Sequence, residues 1–206
     1  MSTTPEQTLS EPALLAIGAG GSMAGRSGTY AKTLGDLGGV YCDGVAFRAA
    51  LAERGPETLV YSVAEHRNVG GPGALIIGTS TLLPGRIGEE FAMTRGHLHA
   101  KADRAELYYC LSGRGVMLLE SLSGESRAVP MAPGDAVHVP GHWVHRSVNV
   151  GDEPFVSLFC YPADAGQDYG LIADAGGMAQ LVVADGDGGW TTCPNPRHVG
   201  YQGANS

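Results

Sequence analysis

The chain has 206 residues, with 13 basic and 21 acidic side chains and a formal net charge of −8 at pH 7. That length suits one well-buried core, and the acidic balance argues against nucleic acid or an anionic membrane surface as a partner. No run approaches the roughly 20 apolar residues of a membrane span, and no basic start leads into an apolar core at the N-terminus, so the sequence reads as cytoplasmic.

Residues 1–30 are rich in Gly, Ser, Ala and Thr and carry no sustained apolar period, which predicts a flexible N-terminal segment ahead of a single domain over 31–206. Residues 45–54 combine good helix formers with Asp43 as a cap, and Gly55-Pro56 stops the run. From Thr58 the texture changes. Short β-rich runs follow at 58–64, 74–83, 90–94, 105–111, 116–121, 126–131, 136–139, 143–149 and 155–161, separated by turns such as Ser112-Gly113, Ser123-Gly124 and Pro133-Gly134. An ordered loop over 162–170, a last strand at 180–184 and an irregular tail from Asp185 complete the reading. The pattern predicts an all-β sandwich or small barrel, its core about 58–184, with one or two short helices. Cys42, Cys110, Cys160 and Cys193 are scattered without paired spacing, which fits neither a thiolate zinc site nor a disulfide framework.

One stretch carries chemistry. In an extended chain His97 and His99 point the same way and can hold one ion between them, while Glu106 and His145 each place a single polar ligand in an otherwise strand-like apolar run. Three imidazoles and one carboxylate suit a divalent first-row metal and leave positions open for a substrate. The plainer reading of Glu106 is an ion pair with Arg104 or Lys101, but a carboxylate opening an apolar strand is costly to bury unpaired, which favours ligation. Tyr61, Tyr108, Tyr161 and Tyr169 serve equally as rim packing or as ligand contacts. Lys101 and Arg104 are candidate sources of positive field. Gln167 reads as a surface group, His138 and His142 as structural, and His66 and His198 as exposed.

The motif His97-x-His99, then Glu106 and Gly113, followed by Gly134, Pro140, His145 and Asn149, resembles the paired motifs of the cupin superfamily, a jelly-roll-like double-stranded β-helix barrel with a metal in its mouth. The gap of six residues between His99 and Glu106 is long for a cupin, and His142 stands where Gly is usual. With the runs F-A-M-T-R-G-H-L-H-A-K-A-D-R-A-E, H-R-S-V-N-V-G-D-E-P-F and Y-P-A-D-A-G-Q-D-Y-G, these features are similar to the archaeal-type cupin glucose-6-phosphate isomerases over residues 61–170. The resemblance implies a homodimeric enzyme acting on a small sugar phosphate. It also implies one divalent metal per subunit on His97, His99, Glu106 and His145, with Fe2+ first and Mn2+, Ni2+, Co2+ or Zn2+ as alternatives.

Substrate contacts implied in the same way are Tyr61, Ser80, Thr94, Gly96, Tyr108, Tyr161 and Tyr169. Ser80 stands where Thr is familiar, and Gln167 replaces a His. Thr94, Gly96 and Ser80 would cradle the phosphate. Glu106 would carry a proton between C2 and C1 through a cis-enediolate, with hydride transfer as the competing mechanism and mannose 6-phosphate as a further substrate. Two other functions use the same ligand set: a metal-dependent dioxygenase and a non-catalytic sugar-binding cupin.

Overall fold

The computed structural model describes residues 11–67 and 73–201. Two short strands, β1 (Ala16–Ile17) and β2 (Met23–Ala24), lead into β3 (Gly28–Thr33) and helix α1 (Gly44–Arg54). Next come β4 (Leu59–Arg67), β5 (Leu75–Leu82), β6 (Arg86–Ile87), β7 (Glu90–Phe91) and β8 (Glu106–Ser112). The barrel continues through β9 (Gly115–Ser121), β10 (Ser126–Met131), β11 (Ala136–Val139), β12 (Trp143–Asn149) and β13 (Phe155–Pro162). Helix α2 (Gly170–Asp174) and the hairpin β14 (Gln180–Ala184) and β15 (Trp190–Pro194) close the chain.

Two antiparallel sheets, ordered β11-β8-β13-β5-β4-β3 and β10-β9-β12, close over one core that includes Val63, Ile76, Leu82, Met117, Leu119, Phe155 and Phe159. This is the double-sheet barrel the sequence predicts. Alternation explains it: apolar residues two apart on each strand share a face, and that face is buried only if a second sheet covers it. Strand β9 is buried along nearly its whole length, because its outer face is covered as well. There Glu120 accepts the backbone N–H groups of Ala179 and Gln180 at 2.8 Å each, tying the C-terminal segment to the barrel. Among the described residues no helix is long and apolar enough to cross a membrane.

Helix α1 forms where expected. The Asp43 carboxylate accepts from the N–H groups of Val45 and Ala46 at 2.9 Å each, and Gly55 ends the helix at φ 83°.

Two expectations fail at the chain's ends. Residues 1–10 lie outside the described residues, but the remainder of the segment expected to be flexible does not hang free. Met23 is buried at 1 % exposure, and β3 pairs with β4 as the edge of the six-stranded sheet, with Tyr30 opposite Val63. An edge strand gains its hold from one row of backbone hydrogen bonds and needs little apolar alternation, so Gly-Thr-Tyr-Ala-Lys-Thr gives a weak signal. The tail beyond Asp185 is likewise ordered, since β15 pairs with β14 from Gln180 opposite Pro194 to Ala184 opposite Trp190. Its Gly-rich stretch is the hairpin turn, in which Asp185 Oδ1 accepts from the N–H groups of Asp187 and Gly189 at 2.9 Å each. The run expected over 90–94 is a strand only at Glu90–Phe91, with a single bridge from Met93 to Val148.

Candidate metal centre

His97 and His145 are locked by a reciprocal backbone pair, each N–H donating to the other's carbonyl at 3.1 and 3.0 Å. That bridge joins the extended 96–99 segment to β12 and sets the imidazoles with centroids 4.4 Å apart. Gly96 makes the approach possible. Its φ is 73°, and a Cβ there would stand 3.0 Å from the His145 carbonyl and 3.1 Å from the Arg146 Cβ. Gly96→Ala is therefore expected to lower stability by about 1–3 kcal/mol and to reduce metal retention, as read by chemical denaturation and metal analysis of the purified variant.

His99 follows two residues on, its ring 5.3 Å from that of His97, and Glu106 opens β8 opposite Val139. The donor atoms of His97, His99, Glu106 and His145 all lie within 4.8 Å of one another, and all four residues are buried. Glu106 Oε2 sits 2.9 Å from the Nε2 of His145, 3.2 Å from that of His99 and 3.8 Å from that of His97. This bears on what the cluster holds. The Nδ1 atoms of His99 and His145 lie 2.8 and 3.0 Å from the carbonyls of Arg104 and Trp143, and a carbonyl only accepts, so both Nδ1 atoms donate. The neutral rings then aim Nε2 lone pairs at a carboxylate that also only accepts, and His97 Nε2 is buried with no hydrogen-bond partner. Lone pairs from four side chains facing one another in a dry site fit a divalent cation, with the carbonyls fixing the ring orientations.

Without an ion, a proton on an imidazole Nε2 is the alternative that relieves this clash, and the shifts describe that metal-free state. Burial pushes the Glu106 carboxyl up, but the imidazoles of His145 and His99 outweigh it and hold the group at about 2. Burial, together with the neighbouring His145, drives His97 well below its ordinary value, keeping it neutral. Burial also opposes the charge on His99, yet the Glu106 hydrogen bond prevails and raises it.

Above this cluster lies an open cavity of about 50 Å³. Every residue expected to touch substrate lines it: Tyr61, Ser80, Thr94, Gly96, Tyr108, Tyr161 and Tyr169. The phenols stay protonated. Burial raises all of them, holding Tyr61 and Tyr161 at about 12 and pushing Tyr108, which also faces the Glu106 charge, well above its ordinary value. Thr94 Oγ1 accepts the Ser147 N–H at 3.1 Å and donates to the Ser147 carbonyl at a long 3.4 Å, a weak bond that a ligand oxygen can replace. The mouth is thus a ring of neutral hydroxyl donors around a buried metal-ligating floor.

Lys101 and Arg104 do not supply field to this cavity. Lys101 Nζ and the Arg104 fork both bind the Asp164 carboxylate, at 2.8 Å and at 3.0 and 2.9 Å, which pins the loop between the ligands. Their pairing with Asp164 also removes them as partners for Glu106. Lys101→Met is expected to leave turnover within about twofold, measured at saturating substrate, because an exposed pair contributes little. Gln167 is half-buried at the rim, where it lines the cavity and accepts a hydrogen bond from the Tyr169 hydroxyl. His142 is exposed at φ 69° and His138 is exposed on β11, away from the cluster. His66 and His198 are half-buried, their Nδ1 atoms 2.9 and 2.8 Å from the carbonyls of Gly25 and Gly177.

Five lining residues escape the sequence reading, Val63, Ser147 and Phe159 and two with more chemistry to offer. Tyr30 arrives from the edge strand β3, and Arg146 follows His145 on β12 at 3 % exposure. A basic residue in the apolar run 143–149 was the available signal, since an arginine is buried only where something receives its charge or its donors.

Fold and site together define a cupin barrel with an open, hydroxyl-lined mouth over four side chains that could hold a metal ion. Residues 31–198 match the family model described as glucose-6-phosphate isomerase (GPI), and the chain belongs to that family. It is 49% identical over 176 residues to the putative glucose-6-phosphate isomerase 1 of Rhizobium meliloti (strain 1021), covering 85% of this chain and 82% of that one. It is 46% identical over 155 residues to the glucose-6-phosphate isomerase of Thermococcus onnurineus (strain NA1), covering 75% and 80%. The solved structure of Bacillus subtilis oxalate decarboxylase at pH 4.6 is similar over 53% of this chain and 27% of that one, at 25% identity and a TM-score of 0.43, a likeness that adds nothing to the fold drawn above.

Proposed function

We propose that this chain interconverts glucose 6-phosphate and fructose 6-phosphate in the hydroxyl-lined cavity. The observation that carries the reading is the buried quartet of His97, His99, Glu106 and His145 beneath a mouth of neutral donors. A divalent ion on the quartet supplies a positive centre for charge developing on the sugar oxygens. The protein's own groups do the rest. Tyr61, Tyr108, Tyr161 and Tyr169 donate to hydroxyl and phosphate oxygens, while Thr94, Ser80 and the Gly96 backbone receive the phosphate. The buried rings of Phe159 and Tyr161, stacked at 5.8 Å, exclude water from one wall.

Glu106 is the proposed proton carrier between C2 and C1. A carboxyl held at about 2 is a weak base, so it must leave its imidazole partners to take the proton. The same depressed value favours a second reading, hydride transfer from C2 to C1, which asks nothing of Glu106 beyond ligation. A coupled assay for glucose 6-phosphate formed from fructose 6-phosphate in deuterated water separates them. Turnover with solvent deuterium in the product supports the proton path; turnover with none supports hydride transfer, and no turnover ends the isomerase reading. Thr94→Val is expected to raise KM for fructose 6-phosphate about 10-fold with little change in kcat, as steady-state kinetics would show, since it removes a donor used throughout the reaction.

Fe2+ is proposed as the resident ion, with Mn2+, Ni2+, Co2+ and Zn2+ fitting the same nitrogen-rich donor set. A homodimer in the cytoplasm, and mannose 6-phosphate as a further substrate, are proposed on the family resemblance.

A further inference from the structure

A second cavity of about 370 Å³ lies beside the first and shares Arg146 and Tyr169 with it. Three arginines line it, Arg95, Arg146 and Arg197, together with the apolar Val40 and Ile172, and among the described residues no Asp or Glu does. In a chain of net charge −8, three guanidinium groups around one carboxylate-free hollow need an explanation.

None of the three is neutralised within the fold. Among the described residues, no carboxylate lies within 4.0 Å of Arg95, Arg146 or Arg197. Arg95 reaches the Asp36 carbonyl at 3.3 Å, and its guanidinium carbon stands 5.9 Å from the centre of the Tyr169 ring. Arg197 reaches the carbonyls of Tyr41 and Cys42 at 3.0 and 3.4 Å. Arg146, 3 % exposed, donates to the Arg95 carbonyl at 2.7 Å and to the Met93 sulfur at 3.0 Å, and its Nε is buried without a partner. The surrounding acids make no direct contact with them: Asp36 accepts from Thr33, Glu90 accepts the N–H groups of Cys42 and Asp43 through Oε1 and leaves Oε2 buried without a partner, and Glu120 accepts from Ala179, Gln180 and Tyr201, so Glu90 and Glu120 act on Arg146 only through space. Carbonyl contacts satisfy donors but leave three positive charges, one of them deeply buried, without an anion.

We propose that this second cavity is a binding site for a small phosphate-bearing anion, held by Arg95, Arg146 and Arg197. Planar forks suit phosphate oxygens, and the missing counter-charge is what such a ligand brings. The phosphate has two possible sources, free phosphate in solution or the phosphate of a substrate reaching past Tyr169.

The test is calorimetric titration of the metal-loaded protein with inorganic phosphate, alone and with a saturating equilibrium mixture of glucose 6-phosphate and fructose 6-phosphate. Wild type, Arg197→Met and Arg95→Met are compared, with melting curves as a check on folding. Weakening of phosphate binding by about tenfold or more in either folded variant supports the site. Phosphate still bound beside saturating sugar phosphate identifies free phosphate as the occupant. Phosphate displaced by sugar phosphate, with a tenfold rise in KM and unchanged kcat in Arg197→Met, identifies the substrate's own phosphate. Should Arg197→Met fail to fold because Tyr41 and Cys42 lose their tie, Arg95→Met, which gives up one 3.3 Å hydrogen bond and the contact with the Tyr169 ring, carries the comparison. Folded variants that bind phosphate as wild type does, or a wild type that binds none, overturn the proposal.

Discussion

Glu106→Gln is expected to lower kcat for fructose 6-phosphate by about 10²–10⁴-fold and to weaken metal retention by about 10–100-fold. The amide keeps the size and one acceptor oxygen, but it brings N–H donors and no charge to a point 2.9 Å from His145 Nε2 and 3.2 Å from His99 Nε2. Among the described residues no second carboxylate belongs to the cluster, so nothing there replaces the lost negative charge. Assays with excess metal divide the effect: activity restored by added ion would make Glu106 a ligand only, while a loss that persists at full metal occupancy places it on the proton path. Wild-type turnover and metal content in this variant would contradict both roles.

Metal binding is expected to tighten as pH rises and to release protons. The sign follows from the imidazoles. His99 is raised above its ordinary value in the metal-free fold, so its proton contributes stability that is present below about pH 6.5 and lost as pH climbs through the folded value. The ion needs the same Nε2 bare and gains where the proton is lost. His97, driven low by burial and by its neighbours, is already bare. Glu106, held at about 2, is ionised throughout this range; its contribution is lost only as pH falls from the ordinary carboxylate range toward that value. Affinity should therefore fall by up to about tenfold per pH unit below the His99 value, and the difference in melting temperature between loaded and stripped protein should widen from pH 5.5 to 8. A difference that narrows over that interval would contradict the assignment.

The barrel was legible because short β-rich runs stand between Gly, Pro and Ser turn signals, and the runs at 126–131, 136–139, 143–149 and 180–184 coincide with β10, β11, β12 and β14. The metal quartet was legible because donor spacing is a local property: His97 and His99 share a face, and single polar residues in apolar runs declare themselves. The edge strand carrying Tyr30 was not legible, since backbone pairing to β4 leaves no periodic trace in its side chains. Nor was the role of the Lys101–Arg104 loop. Its charges pair with Asp164, 63 residues from Lys101 in the chain, and only the fold shows which partner a lysine meets. Arg146 escaped for a related reason, because its neighbours Met93, Arg95 and Arg197 belong to segments that the β12 pattern does not name.

All of this rests on one divalent ion seated on four side chains and required for turnover. The direct measurement is a titration of chelator-stripped protein with Fe2+ under anaerobic conditions, following bound metal and fructose 6-phosphate turnover in the same samples. Activity should start near zero, rise in proportion to bound ion and level off at about one per chain. Full turnover in the stripped protein, or activity that ignores occupancy, would contradict the account.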